Sequence, residues 1–188
     1  MKWTLPNILT VLRLLAAPGA ALAFAFLPRP LADWIAFGLF VGASLTDFLD
    51  GWIARAWGQQ SRFGAMLDPI ADKAMVVIAL AVIFGTSGMN PWLIVPATAI
   101  FLREVFVSGL REFLGKDASK LAVTKLAKWK TTVQMVAIAI LLASGAMHAG
   151  LVDLLGTGLL WVAGLLTLVT GWDYLWKALP YLKEEPLP

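Results

Sequence analysis

The sequence predicts an all-α integral membrane protein, with six transmembrane helices and both termini cytoplasmic. Three observations point there. Of the 188 residues 60% are hydrophobic and only 14% charged, where a soluble domain has roughly 25% charged; the mean hydropathy is +0.79. Six apolar stretches reach the roughly 17–25 residues that a helix needs to cross a bilayer. Threading these six alternately leaves every Lys and Arg except Arg29 on or near one side, the bias that marks cytoplasmic ends. A water-soluble globule could not cover so much apolar surface, and intrinsic disorder is excluded for the same reason.

The spans follow in order. The first runs from Asn7 to Leu27, with Arg13 inside it. A secretory signal would also begin with Lys2 and an apolar run. Arg13 interrupts that run and five more spans follow, so the segment is expected to be retained, part of residues 1–13 lying at the interface where Arg13 meets headgroups. Pro28-Arg29-Pro30 ends it. The second span covers Asp33 to Arg55 and the third Gly64 to Phe84, both with charge near one end. Gly85 to Pro91 breaks the third from the fourth, which covers Pro91 to Arg111. Gly145 to Gly150 separates the fifth, Lys130 to Met147, from the sixth, Leu154 to Leu175. No run alternates with a period of two, so strands are not expected. Trp3, Trp34, Trp57, Trp92, Trp129, Trp172 and Trp176 fall near span ends, as an interfacial belt does; Trp161, in mid-span, is expected to pack on lipid or on another helix. The length fits one domain over residues 1–188, and the polar tail from Lys183 is expected to fray.

Composition narrows the chemistry. The absence of cysteine excludes disulfides, zinc–thiolate sites and thiol catalysis, and His148 is the sole histidine. Any metal must be held by oxygen, which favours Mg²⁺ or Mn²⁺. Asp47 and Asp50 are spaced i,i+3 at the inner end of the second span, and Asp68 and Asp72 i,i+4 at the inner start of the third. Each spacing puts both carboxylates on one helix face. A short linker should make the two helices an antiparallel hairpin, so all four carboxylates converge at one depth. An ionisable group inside a span is functional by default, and four together require cations. They are enough to bridge two ions, and two ions roughly 3.5–4 Å apart suit phosphoryl chemistry. Gly51, Ala54 and Gly64 either leave room for a substrate against helix backbone or serve helix packing.

From Asp47 to Asp72 the chain resembles the D-x2-D-G-x2-A-R-x8-G-x3-D-x3-D signature of the CDP-alcohol phosphotransferases. All its fixed residues are in place: Asp47, Asp50, Gly51, Ala54, Arg55, Gly64, Asp68 and Asp72. The resemblance implies six helices around a cytoplasm-facing cavity, usually in a homodimer. It implies that Asp47, Asp50, Asp68 and Asp72 bind the divalent metals, that Asp72 is the general base, and that Gly51, Ala54 and Arg55 line the CDP site, with Gly64 beside them. Leu5 to Arg13, Arg103 to Glu112 and Lys125 to Gln134 are similar to segments of the bacterial phosphatidylglycerophosphate synthases within that family. This narrower likeness implies transfer of a phosphatidyl group from CDP-diacylglycerol to the 1-hydroxyl of sn-glycerol 3-phosphate, with release of CMP, at the inner membrane with the site facing the cytoplasm. The expected partners are those two substrates, membrane lipids and a second copy of the chain, with no nucleic acid.

The basic residues admit two readings. At 1.5 Å per residue Arg103 should lie about 18 Å along the fourth span, below the inner surface and in need of an anionic partner. That partner is an acceptor phosphate, or else Glu104 or backbone. Arg111 lies two turns further on, and Lys125 and Lys128 are i,i+3 at the start of the fifth span. With Arg103 they form a basic cup for the acceptor phosphate, or they only express the positive-inside bias, as Lys116, Lys120 and Lys183 do beside anionic headgroups. Asn7, Thr10 and Arg13 touch the nucleotide or phosphates, or they cap and anchor the first helix. Rival acceptors are inositol phosphate, serine or a second phosphatidylglycerol. A divalent-cation transporter, the alternative of another class, would place its carboxylates near the midplane rather than at one end.

Overall fold

The structure, a computed structural model, describes residues 4–56, 61–115 and 125–182, apart from the side chains at 48, 50–52, 54–56 and 125. It contains α1 (Leu5–Phe26), α2 (Leu31–Ala56), α3 (Arg62–Ser87), α4 (Pro91–Leu114), α5 (Lys125–Met147) and α6 (Gly150–Leu182), and no strand among the described residues. Each helix matches one predicted span; α1 stops one residue short of Leu27, and the other five cover theirs and run past at least one end. At 33 residues α6 is about 50 Å long, more than the ~30 Å of hydrocarbon requires. Among the described residues, four helices, α1, α4, α5 and α6, are long and apolar enough to cross a membrane by length and composition. The 26-residue helices α2 and α3 are as long and carry the aspartates. The architecture is that of an all-α membrane protein.

Local chemistry sets the helix ends. Ser61 caps α3 by accepting from the Gly64 N–H at 2.9 Å, and Asn90 caps α4 by accepting from the Trp92 N–H at 3.0 Å, with Pro91 in the first turn. His148, at φ 51°, turns the chain between α5 and α6.

Packing corrects the expected α2–α3 hairpin. The two helices barely touch; α1 packs against both and lies between them. The physical reason is the face α1 offers its neighbours, where Ala17, Ala20 and Ala23 are all buried and let two helices approach closely. Both α2 and α3 also rest on α5, and α6 packs on α5 and α4. The α4–α6 pair runs in parallel, with Trp92 meeting Trp161, Pro96 meeting Gly164 and Arg103 meeting Gly171. A Cβ at Gly164 would lie 3.0 Å from Pro96 Cβ. Trp161 packs on another helix, as expected, donating to the Trp92 carbonyl at 2.9 Å. The main core holds Phe40, Leu80, Leu93, Ile100, Ile138 and Leu160. Leu15, Leu102, Val105, Leu151 and Leu165 point outward, an apolar surface suited to lipid.

Gly145 departs from its expected role as a break. It lies within α5, where the backbone passes so close to the Arg29–Asp33 pair that any Cβ would run into both side chains. Arg29 grips the buried Asp33 through Nε at 2.8 Å and Nη2 at 2.6 Å, stapling the α1–α2 corner onto α5.

Candidate active site

At the opposite end of the bundle, α1, α2 and α3 bring three of the four sequence-predicted aspartates together. The organiser is Arg13. Its buried position follows from phase: Asn7, Thr10, Arg13, Ala17, Ala20 and Ala23 recur at helical spacing along the buried face of α1. The guanidinium, 2% exposed, donates to Asp47 of α2, lies 2.9 Å from Asp72 Oδ1 and 3.5 Å from Asp68 Oδ1 of α3. Arg13 is thus buried inside the bundle, its guanidinium turned to the three carboxylates, and α1 is helical without interruption from Leu5.

Asn7 and Thr10 fasten the same corner. Thr10 Oγ1 lies 2.9 Å from Asp68 Oδ1 and 3.0 Å from the Pro6 carbonyl, and its single proton serves one of them at a time. Asn7, also buried, accepts from the Ser61 hydroxyl at 2.7 Å. Gly64 is required for this fit: a Cβ there would come within 2.8 Å of Asn7 Oδ1. Asn7 and Thr10 therefore anchor α1 to the start of α3. Pro69, between Asp68 and Asp72, lacks the N–H that would bond the Ala65 carbonyl.

The electrostatics of the cluster point to cations. Three carboxylates facing one guanidinium leave two negative charges unbalanced. Each aspartate is about half exposed (side-chain values 47%, 48% and 55%), so the cluster opens to the exterior on the side away from Arg13. Among the described residues no three such side chains are assembled as a ready ligand set; the three meet on Arg13 instead. Their chemistry, hard oxygen with excess negative charge, nonetheless fits a divalent ion. The Asp50, Ala54, Arg55 and Lys125 side chains lie outside the described residues, and of Gly51 only its place in α2 is described.

A second polar cluster lies beside the first. Glu104 Oε1 accepts from Lys130 Nζ of α5 at 2.8 Å and from Arg103 Nη1 at 3.2 Å. Lys73, the residue after Asp72, bonds Ser108 of α4. The expected cup of Arg103, Arg111, Lys125 and Lys128 is only partly assembled. Arg103 enters this cluster, but Arg111 turns to α6, its Nε 3.1 Å from the Tyr174 hydroxyl, and Lys128 is exposed. The sequence reading gave Lys130 no role. Its signal was phase: Lys130, Gln134, Ile138 and Leu141 form one buried stripe.

Comparison with known proteins shows the family. Residues 3–169 match the family described as CDP-alcohol phosphatidyltransferase. A Cereibacter sphaeroides protein named CDP-diacylglycerol–glycerol-3-phosphate 3-phosphatidyltransferase is 58% identical over 98% of this chain and its own full length. Proteins of the same name from Rickettsia bellii (43% identical, 90% of this chain and 92% of theirs) and Haemophilus influenzae (38%, 97% and 94%) are also similar. With its acidic corner built on the residues that carry the motif and a match across most of its length, the chain belongs to the CDP-alcohol phosphatidyltransferase family.

Proposed function

We propose that this protein transfers the phosphatidyl group of CDP-diacylglycerol to the 1-hydroxyl of sn-glycerol 3-phosphate, giving phosphatidylglycerophosphate and CMP. The observation that carries the reading is the convergence of Asp47, Asp68 and Asp72 on one depth of the bundle, within a chain 58% identical to a relative bearing that activity in its name. All six helices span the inner membrane, with both termini and the aspartates on the cytoplasmic side. The lipid tails of the donor then stay in the bilayer while its pyrophosphate reaches the acidic corner. The protein works as a homodimer of single-domain chains.

Asp47, Asp50, Asp68 and Asp72 would hold two Mg²⁺ or Mn²⁺ ions. When bound, these supply Lewis-acid neutralisation of the pyrophosphate and of the departing phosphate. Asp72 accepts the proton of the acceptor hydroxyl. The oxygen forms its bond to the phosphorus that carries diacylglycerol, and the bond from that phosphorus to the bridging oxygen breaks. CMP leaves with the oxygen and its electron pair. Gly51, Ala54, Arg55 and Gly64 border the cytidine diphosphate, with Asn7 and Thr10 alongside. Arg103 meets the acceptor phosphate, and Arg111, Lys125 and Lys128 add positive charge on the approach to it.

The test offers purified protein and CDP-diacylglycerol each acceptor in turn: glycerol 3-phosphate, inositol phosphate, serine and phosphatidylglycerol. CMP release with glycerol 3-phosphate, and phosphatidylglycerophosphate by mass, is expected. Turnover with only another acceptor overturns the assignment. Metal flux into proteoliposomes without CMP formation would make the protein a transporter.

A further inference from the structure

We propose that Glu104 is a positioning residue that builds the acceptor-phosphate pocket by gathering Arg103 and Lys130 on one carboxylate oxygen; this rests on the reaction proposed above. Three observations support it. The helices α4 and α5 have few close contacts of their own, so the 2.8 Å Lys130–Glu104 pair bridges a gap between them. Lys130 is 3% exposed, and such an ammonium ion is held inside only by a partner. Both cations share the single atom Oε1, so one carboxylate cannot neutralise both.

The remaining charge has a use. Arg103 and Lys130 contact Glu104, and Lys73, bonded to Ser108, is close enough to act on it electrostatically, so three cations surround one carboxylate and two positive charges are in excess. A phosphate monoester carries roughly −1.5 to −2 at neutral pH, which matches. Arg103 Nε is buried with no hydrogen-bond partner among the described residues, so Glu104 leaves part of the guanidinium unsatisfied. The pocket adjoins the acidic corner: Lys73 follows Asp72 in the chain, and Ser108, its partner, lies one turn from Glu104. A net-negative cluster and a net-positive one therefore stand side by side. The first suits a metal-bound pyrophosphate, and the second suits the phosphate that only some acceptor alcohols carry. Glu104 holds the second in shape without cancelling its charge.

The experiment is steady-state kinetics on the purified full chain, with CMP release as readout, for wild type, Glu104→Gln, Lys130→Met and the double variant. Glu104→Gln should raise KM for glycerol 3-phosphate about 10-fold, the loss of one charge-assisted hydrogen bond, with KM for CDP-diacylglycerol unchanged. Inhibition by inorganic phosphate, competitive with the acceptor, should weaken in parallel. The double variant should be no worse than Lys130→Met alone, since the two act as a unit. An unchanged acceptor KM in Glu104→Gln overturns the proposal. So does an equal rise in both KM values with a lowered melting temperature, which marks a purely structural pair. If Glu104→Gln does not fold, Lys130→Met reads the same acceptor KM with the same two outcomes. Wild type that releases no CMP with glycerol 3-phosphate overturns the underlying reaction instead, so the two failures are distinguishable.

Discussion

The Arg13 guanidinium of α1 stands 2.9 Å from Asp72 Oδ1 of α3 and bonds Asp47 of α2 as well. A cation on one helix thus joins acids on two others that barely meet. Removing it leaves those carboxylates facing one another unpaired. Arg13→Gln should destabilise the metal-free protein by about 3 kcal/mol, the usual scale for breaking a buried ion pair. Thermal unfolding in detergent with EDTA reads this. Added Mn²⁺ should narrow the difference from wild type, because it can neutralise the same oxygens. Equal melting of the two proteins in EDTA would mean that Arg13 does not hold the cluster.

The role given to Asp72 has a sharp kinetic signature. Asp72→Asn removes the proton acceptor while keeping the shape. CMP release should fall by roughly 10²- to 10⁴-fold, the range of general-base catalysis. Calorimetric titration of CDP-diacylglycerol in micelles should change little. A variant that turns over within a few-fold of wild type would move the base elsewhere.

Metal dependence follows from the charge imbalance at the same corner. Chelation with EDTA should abolish CMP release, and either Mg²⁺ or Mn²⁺ should restore it, both being hard ions served by carboxylate oxygen. Full activity after exhaustive chelation would leave the two excess negative charges without this explanation.

The helices were legible because apolar length and Pro/Gly punctuation act locally. The aspartate cluster was legible because i,i+3 and i,i+4 spacings fix a helix face. What was not legible was which helix stands between the clusters. The short linker suggested that α2 and α3 pair directly, but side-chain size decides packing in a membrane, and the alanines of α1 admit both neighbours. Lys130 counted only among the boundary charges, and Arg13 was offered headgroups, nucleotide or phosphates, or an anchoring role, but no internal carboxylates. Both lie in phase with a buried stripe, Arg13 with Ala17 and Ala20, Lys130 with Gln134 and Ile138. A charge in register with the buried face signals an internal partner, whereas Lys128, out of that register, is exposed. Gly145 misled for the opposite reason: it permits a close approach to Asp33 and Arg29 rather than a chain break.

Gly64 tests how tightly α1 must seat on α3. An added methyl group would come within 2.8 Å of Asn7 Oδ1 and 3.3 Å of Ser61 Oγ, two atoms already bonded to each other. Gly64→Ala should separate them, cost about 1–3 kcal/mol of stability as overpacking does, and lower kcat by loosening Asp68 through Thr10. The companion Asn7→Ala should relieve the clash. Melting temperatures of the two single variants and the double variant check this: if the double variant is no more stable than Gly64→Ala, the contact is not the cause.

Orientation can be read directly because the chain contains no cysteine, so each introduced thiol reports alone. Met89, in the turn between α3 and α4, is 86% exposed, and Lys128 is exposed near the start of α5. In spheroplasts a membrane-impermeant maleimide should label the Met89→Cys protein and spare the Lys128→Cys protein; in inside-out vesicles the pattern should reverse. The aspartates lie at the Lys128 end, since Asp72 is near the start of α3 and Met89 beyond its finish. The reversed labelling would put the acidic corner on the outer side, away from any cytoplasmic acceptor. Labelling of both positions from one side would show that an odd number of crossings does not separate them.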